Sequence, residues 1–102
     1  EMRLEENPLA QIDEDSFRLL ATYPVDEFNE YFQTQIPVEE YDTVGGLVFG
    51  LFGRIPRSGE AITYENLKFR VEKMKGARIL NLHLTVISSV SNGNQEKAKE
   101  ET

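Results

Sequence analysis

The sequence predicts an α+β fold in which two short helices pack on one face of a mainly antiparallel sheet. Apolar residues recur at helical spacing between residues 24 and 53, and they alternate with polar residues between 61 and 86. Helices placed between two groups of strands are typical of α+β domains. At 102 residues with 39% apolar content, the chain is long enough for one domain with a single modest core.

Two short apolar segments, residues 9–12 and 16–21, predict the first pair of strands. They flank the cluster Asp13-Glu14-Asp15, where the chain is expected to turn. Phe17 and Leu19 are two positions apart and therefore share one face of their strand.

The next segment predicts a first amphipathic helix, because Val25, Phe28 and Phe32 recur at helical spacing. Pro24 is tolerated in a first helical turn, and Pro37 is expected to end the helix.

A second helix is predicted over residues 44–52. Thr43 stands at the N-cap position, where its hydroxyl can accept a free backbone N–H, and Asp42 suits the positive end of the helix dipole. Gly53 can adopt the left-handed conformation of a helix end, after which Pro56 prevents continuation.

The remaining strands are predicted from alternation and turn residues. Residues 61–64 form one short strand that turns at Glu65-Asn66. Two longer strands follow, joined by a turn at Lys75-Gly76, with these apolar positions on the core face: Leu67, Phe69 and Val71, then Leu80, Leu82, Leu84 and Val86.

The predicted organisation has three parts: a flexible N-terminal segment (1–8), the folded domain (9–87) and a disordered polar tail (88–102). Residues 44–52 are too few to cross a bilayer, so we expect the isolated chain to be soluble and not to insert into a membrane. It starts without a signal segment, which is expected of a piece of a larger protein.

Net charge is −7, divided into −10 for residues 1–53 and +3 for residues 54–102. A chain this acidic is expected to bind nucleic acid poorly, because affinity for nucleic acid comes mainly from Lys and Arg side chains that neutralise phosphates. One predicted hairpin carries five basic residues: Lys68, Arg70, Lys73, Lys75 and Arg78. We expect most of them to be solvated, and a local contact with an anion is the less favoured alternative.

Three glycines in the second helix invite comparison with a phosphate cradle, but their spacing matches neither a dinucleotide fingerprint nor a P-loop. We favour a structural role, in which they let the helix approach the sheet closely. If a nucleotide binds, the backbone N–H groups at the helix start would hold it, which makes Thr43, Gly45 and Gly46 the candidate cofactor-binding residues.

Two acidic clusters supply the candidate metal ligands Asp13, Asp15, Glu40 and Asp42, whose oxygens suit Mg²⁺ or Ca²⁺. Solvated surface is the favoured alternative for both clusters. The chain has no cysteine, and its one histidine, His83, falls opposite the apolar strand face, where a solvated or interface role is expected. We predict no catalytic residues and no enzymatic activity.

The second helix has more apolar residues than one buried face can hold. Phe49, Leu51 and Phe52 extend around the helix, which predicts some exposed apolar surface. Such a patch could dock another domain or a second copy of this chain as a homodimer.

A series of short motifs in fixed order carries a family resemblance: Tyr41-Asp42-Thr43-Val44-Gly45-Gly46-Leu47-Val48, Gly53-Arg54-Ile55-Pro56, Gly59-Glu60, Leu67-Lys68-Phe69-Arg70-Val71 and Arg78-Ile79. With them, residues 13–87 resemble the transporter-associated domain named for CorC and HlyC. The resemblance implies a fold similar to a small FAD-binding-type domain, with a motif that is mainly structural and transfers no catalytic or ligand-binding residue.

The resemblance also implies a setting and a role. Such domains form the cytosolic C-terminal end of bacterial inner-membrane proteins that carry transmembrane and CBS domains and are linked to magnesium and cobalt efflux and to hemolysin activity. The expected function is a non-catalytic accessory domain that docks to those neighbours and modulates ion transport. The alternative is a small-ligand sensor for a divalent cation or an adenine or flavin nucleotide.

Overall fold

The computed structural model describes residues 8–87, which form seven elements. Two strands come first, then two helices, then three strands: β1 (Leu9–Gln11), β2 (Ser16–Leu20), α1 (Val25–Phe32), α2 (Val44–Phe52), β3 (Ala61–Tyr64), β4 (Leu67–Lys75) and β5 (Arg78–Val86). The predicted segments 1–8 and 88–102 lie outside the described residues, except for Pro8.

The strands form one sheet in the order β1-β2-β5-β4-β3, and every neighbouring pair is antiparallel. Of the strands described, the last in sequence, β5, therefore lies at the centre. Phe17 of β2 pairs with Leu84 of β5, which in turn pairs with Phe69 of β4. The predicted α+β class and antiparallel sheet are confirmed.

Both helices contribute to one core on a single face of this sheet. Phe28 of α1 and Leu47 of α2 are fully buried, as are Leu19, Phe69 and Leu84 of the strands. Burying a side chain of this size contributes about 1.5–3 kcal/mol relative to leaving it exposed. The packing of two helices on one sheet face therefore agrees with the prediction.

The other face of the sheet carries polar and basic side chains. Arg18, His83 and Arg70 lie side by side across β2, β5 and β4. The Arg18 guanidinium also forms an ion pair with Glu72, at 2.8 Å between Nε and Oε1. The predicted position of His83, opposite the apolar strand face, is confirmed.

The predicted core position of Leu80 is wrong. Leu80 is half-buried, whereas its neighbour Ile79 is only 6% exposed. The pairing of β4 with β5 is irregular here, because Lys73 lies opposite Asn81 but the next residue, Met74, lies opposite Ile79. Such a bulge shifts the alternation of side chains by one residue.

The predicted end of the first helix at Pro37 is also wrong, since α1 ends at Phe32 and Gln33 takes a left-handed conformation with φ 58°. The Asn29 side chain holds the following segment: its Oδ1 accepts from the Ile36 N–H at 2.9 Å and its Nδ2 donates to the Ile36 carbonyl at 2.9 Å. The chain therefore leaves the helix before a proline forces it to.

Neither helix among residues 8–87 is long and apolar enough to cross a bilayer.

Candidate functional site

The start of α2 is capped as its sequence predicts. Thr43 has extended backbone angles (φ −128°, ψ 159°), and its hydroxyl oxygen accepts the Gly46 N–H at 3.1 Å. At the other end Gly53 is left-handed, with φ 68°. Both predicted helix boundaries are confirmed.

The first amide groups of α2 already have hydrogen-bond acceptors inside the protein. Val44 N–H donates to the Tyr23 carbonyl at 2.9 Å, and Gly45 N–H donates to the Ala21 carbonyl at 2.8 Å. Together with the capped Gly46, these bonds occupy the groups that a phosphate would need. The amides of the candidate cofactor-binding residues Gly45 and Gly46 thus serve the fold, which argues against a phosphate held by these amides. A ligand-binding role for Thr43, Gly45 and Gly46 stays a prediction.

Gly45 of α2 packs against Ala21, the residue that follows β2. A Cβ atom placed there would be 2.6 Å from the Ala21 Cβ and 2.9 Å from the Ala21 carbonyl oxygen. Gly50 makes similar room for the Tyr41 ring, whose Cε1 would be 3.2 Å from a Cβ at position 50. The predicted structural role, close approach of the helix to the sheet, is therefore supported at Gly45, whereas Gly50 makes room for a loop residue.

The segment after α2 is held by contacts within itself and with β4. The Arg54 guanidinium forms an ion pair with Glu60 at 3.0 Å, and Gly59 N–H donates to the Val71 carbonyl at 2.7 Å. The hydrogen bond from Arg54, assisted by the Arg57 N–H, holds the pKa of the Glu60 carboxyl below its ordinary value. These residues therefore anchor a loop.

The two acidic clusters lie apart. Asp13 and Asp15 are exposed in the β1–β2 turn, where Asp13 Oδ1 accepts the Asp15 N–H at 3.0 Å. Glu40 and Asp42 are exposed on the loop before α2, whose start contacts the far end of β2 through Ala21. The length of β2 thus separates the two pairs.

No group of three or more metal-ligating side chains forms within residues 8–87. A carboxylate pair could still hold Mg²⁺ with several waters completing its coordination. The four metal candidates remain a prediction, as two separate pairs.

A cavity that sequence reasoning missed opens beside the start of α2. Its volume is about 520 Å³. Residues from β2 and the segment after it, α2, β4 and β5 line it: Leu20, Ala21, Thr22, Thr43, Gly45, Lys73, Arg78, Ile79, Leu80 and Asn81. The candidate cofactor-binding residues Thr43 and Gly45 belong to this lining. No sequence signal brings the other lining residues together with them, because they come from separate segments.

Exposed apolar side chains lie on α2 and just after it. Phe49 is 39% exposed and Ile55 is 54% exposed, whereas Leu51 and Phe52 are half-buried. The Arg54 guanidinium carbon lies 5.4 Å from the centroid of the Phe52 ring, a cation–π distance. The predicted exposure of part of this helix is confirmed for Phe49.

Comparison with known proteins gives a consistent result. The family model described as CorC_HlyC, transporter associated domain, matches residues 10–88. The magnesium and cobalt efflux protein CorC of Pasteurella multocida is 36% identical over 78 residues, which are 76% of this chain and 26% of that protein. The chain thus spans about a quarter of the length of such curated relatives.

Solved structures show the same fold. A hemolysin domain from Enterococcus faecalis is 30% identical with a TM-score of 0.73, and the match covers 80% of this chain and 100% of that one. A CorC_HlyC domain from a Xylella fastidiosa hemolysin, solved in complex with Mg²⁺ and Mn²⁺, is 27% identical with a TM-score of 0.70, covering 79% of this chain and 99% of that one. The chain belongs to the CorC_HlyC family of transporter-associated domains.

Proposed function

We propose that this chain is a non-catalytic docking domain that modulates ion transport by a CorC-type membrane protein. Its partners are the CBS and transmembrane domains of the same protein, at the cytoplasmic face of the bacterial inner membrane. The family match and the quarter-length alignment with magnesium and cobalt efflux proteins support this setting.

One observation carries the proposal: the family motif is used for internal packing. Thr43 caps α2, Gly45 lets α2 approach Ala21, and Arg54 pairs with Glu60. Motif residues used in this way stabilise the fold and leave binding to other residues on the domain surface.

The candidate docking surface is the exposed apolar part of α2 and the loop after it, represented by Phe49 and Ile55. A partner that covers these side chains removes apolar area from water, worth about 25 cal/mol per Å². Docking changes transport only if the domain binds two conformations of the transmembrane part with different affinity. Equal affinity for both conformations would leave the equilibrium between them unchanged.

The test uses the full-length parent protein reconstituted in vesicles, with Mg²⁺ flux as the readout. Deletion of residues 9–87 is expected to change the flux or its dependence on ion concentration, and Phe49→Ser is expected to reproduce part of that change. Val38→Ser is the matched control, because Val38 is 47% exposed but lies before α2. Unchanged flux after the deletion would refute the proposal.

A second candidate function is divalent-cation sensing, favoured by the related Xylella fastidiosa domain solved in complex with Mg²⁺ and Mn²⁺. In this chain the candidate ligands are the two acidic pairs, Asp13 with Asp15 and Glu40 with Asp42. Exposed carboxylates of this kind give weak, water-rich coordination of the sort Mg²⁺ accepts.

Paramagnetic Mn²⁺ distinguishes the pairs, since it broadens the amide NMR signals nearest to its site. Asp13→Asn/Asp15→Asn and Glu40→Gln/Asp42→Asn serve as controls for each other, because each removes two charges. If one acidic pair binds the cation, Mn²⁺ should broaden the amide signals near that pair only. The double variant of that pair should abolish the broadening, and the other double variant should not. Broadening that both variants leave unchanged would exclude these residues as ligands.

A further inference from the structure

The cavity beside the start of α2 has the size of a small-molecule site. Its volume of about 520 Å³ falls within the roughly 300–1,000 Å³ common for ligand pockets. Ala21 and Ile79 line it and are each only 6% exposed. Leu20 and Leu80 add further apolar surface, so part of the lining suits the apolar body of a ligand.

The charged part of the lining is entirely cationic among the described residues. Lys73 and Arg78 are its two ionisable side chains, although the whole chain carries a net charge of −7. The ion pairs found within residues 8–87 use other cations, Arg18 and Arg54. Within the described part of the chain no carboxylate pairs with Lys73 or Arg78, and both residues are exposed to an anion from solvent.

Polar side chains accompany the two cations. Thr22, Thr43 and Asn81 line the same cavity and supply hydroxyl and amide groups. An ammonium, a guanidinium and several neutral donors suit the oxygens of a phosphate group, and arginine can bind two of those oxygens at once.

The β-bulge accounts for how this lining is assembled. The register of β4 with β5 shifts on both sides of Lys73, which lies opposite Asn81. Leu80, skipped in that pairing, lines the cavity, and its carbonyl accepts the Ala21 N–H at 2.9 Å. Bulges occur often beside binding sites, where they redirect side chains.

We propose that this cavity binds a small organic phosphate, with Lys73 and Arg78 holding the phosphate and the apolar lining contacting the rest of the molecule. The α2 amides take no part, because they already donate to Tyr23, Ala21 and Thr43. This inference does not depend on the docking role proposed above, since either can hold without the other.

The test is an amide NMR titration of the whole chain with 1-naphthyl phosphate and AMP, alongside 1-naphthol and inorganic phosphate as half-ligands. The expected result is saturable shifts at Ala21, Thr43 and Asn81 with at least one organic phosphate, and weaker binding of both half-ligands. No saturable shift with either organic phosphate up to about 10 mM would overturn the proposal. Equal affinity for inorganic phosphate would overturn the assignment of an organic ligand.

Variants test the two cations. Lys73→Gln/Arg78→Gln is expected to weaken binding about tenfold or more. Lys68→Gln/Lys75→Gln is the matched control, because it removes two positive charges from the same hairpin but none from the cavity lining. The amide spectra themselves report whether each variant is folded. Equal loss in both double variants would show a general charge effect and overturn the site.

Discussion

Replacing Gly45 by alanine tests the close approach of α2 to β2. In an unconstrained helix the change would stabilise the protein by about 1 kcal/mol, because alanine has the higher helix propensity. Here the new Cβ would be 2.6 Å from the Ala21 Cβ and 2.9 Å from its carbonyl oxygen. Since the oxygen belongs to the backbone, either α2 or the segment after β2 must move.

The magnitude follows from three effects. Overpacking of this kind costs about 1–3 kcal/mol, and weakening the Gly45–Ala21 hydrogen bond costs about 0.5–1.5 kcal/mol more. Subtracting the gain in helix propensity leaves an expected destabilisation of about 0.5–3.5 kcal/mol. At roughly 4–8 °C per kcal/mol for a domain of this size, the melting temperature falls measurably.

The assay is urea unfolding followed by circular dichroism, with Gly46→Ala as the control on the same helix. A Cβ at Gly46 would meet only the Thr43 hydroxyl oxygen, at 3.3 Å, so this variant is expected to be near neutral or stabilised. Ala21→Gly should rescue Gly45→Ala in part, because it removes the Cβ contact but not the carbonyl contact. A Gly45→Ala protein as stable as the wild type would refute the reasoning.

Three further predictions concern stability measured in the same way. Thr43→Ala should cost about 1 kcal/mol by removing the cap of α2, whereas Thr43→Ser should retain most of the stability. Asn29→Ala should cost about 2 kcal/mol, since it leaves the Ile36 N–H and carbonyl without their partner, and Asn29→Asp, which keeps the acceptor, should fall between. Because the pKa of Glu60 is lowered in the folded state, its contribution is complete above the ordinary carboxyl pKa and is lost as the pH falls through the lowered value. Arg54→Gln should therefore be less stable than wild type at neutral pH, and the difference should shrink in acid as Glu60 is protonated, leaving only the contact of Arg54 with Phe52. A pH-independent difference would contradict this.

Local patterns predicted most of the fold. Alternating apolar residues gave β4, and the cap at Thr43 with the glycine at position 53 gave both ends of α2, because these signals depend only on neighbouring residues. The shift at Leu80 could not be predicted in this way, since a bulge is a property of two paired strands. The end of α1 at Gln33 likewise carried no glycine or proline to mark it.

The candidate sites were harder to predict than the fold. The expected close approach holds for Gly45, which contacts Ala21 after β2, yet the amides of Gly45 and Gly46 are engaged within the protein. Lys73 and Arg78 were expected to be mostly solvated like the other basic residues of the hairpin, and both are exposed. That both line one cavity depends on the packing of β2 and α2 against the β4–β5 hairpin, which spacing along the chain does not encode.

The central position of β5 has a consequence for synthesis on the ribosome. The β1–β2 and β3–β4 pairs can form early, but each has a strand edge that only β5 covers. The pairing of Phe17 with Leu84 joins the two ends of the domain, and such distant contacts form slowly. Until residues 78–86 emerge, the uncovered edges of β2 and β4 are therefore exposed to pairing with strands of other chains. A product that stops before residue 78 would lack the strand that joins the two halves of the sheet.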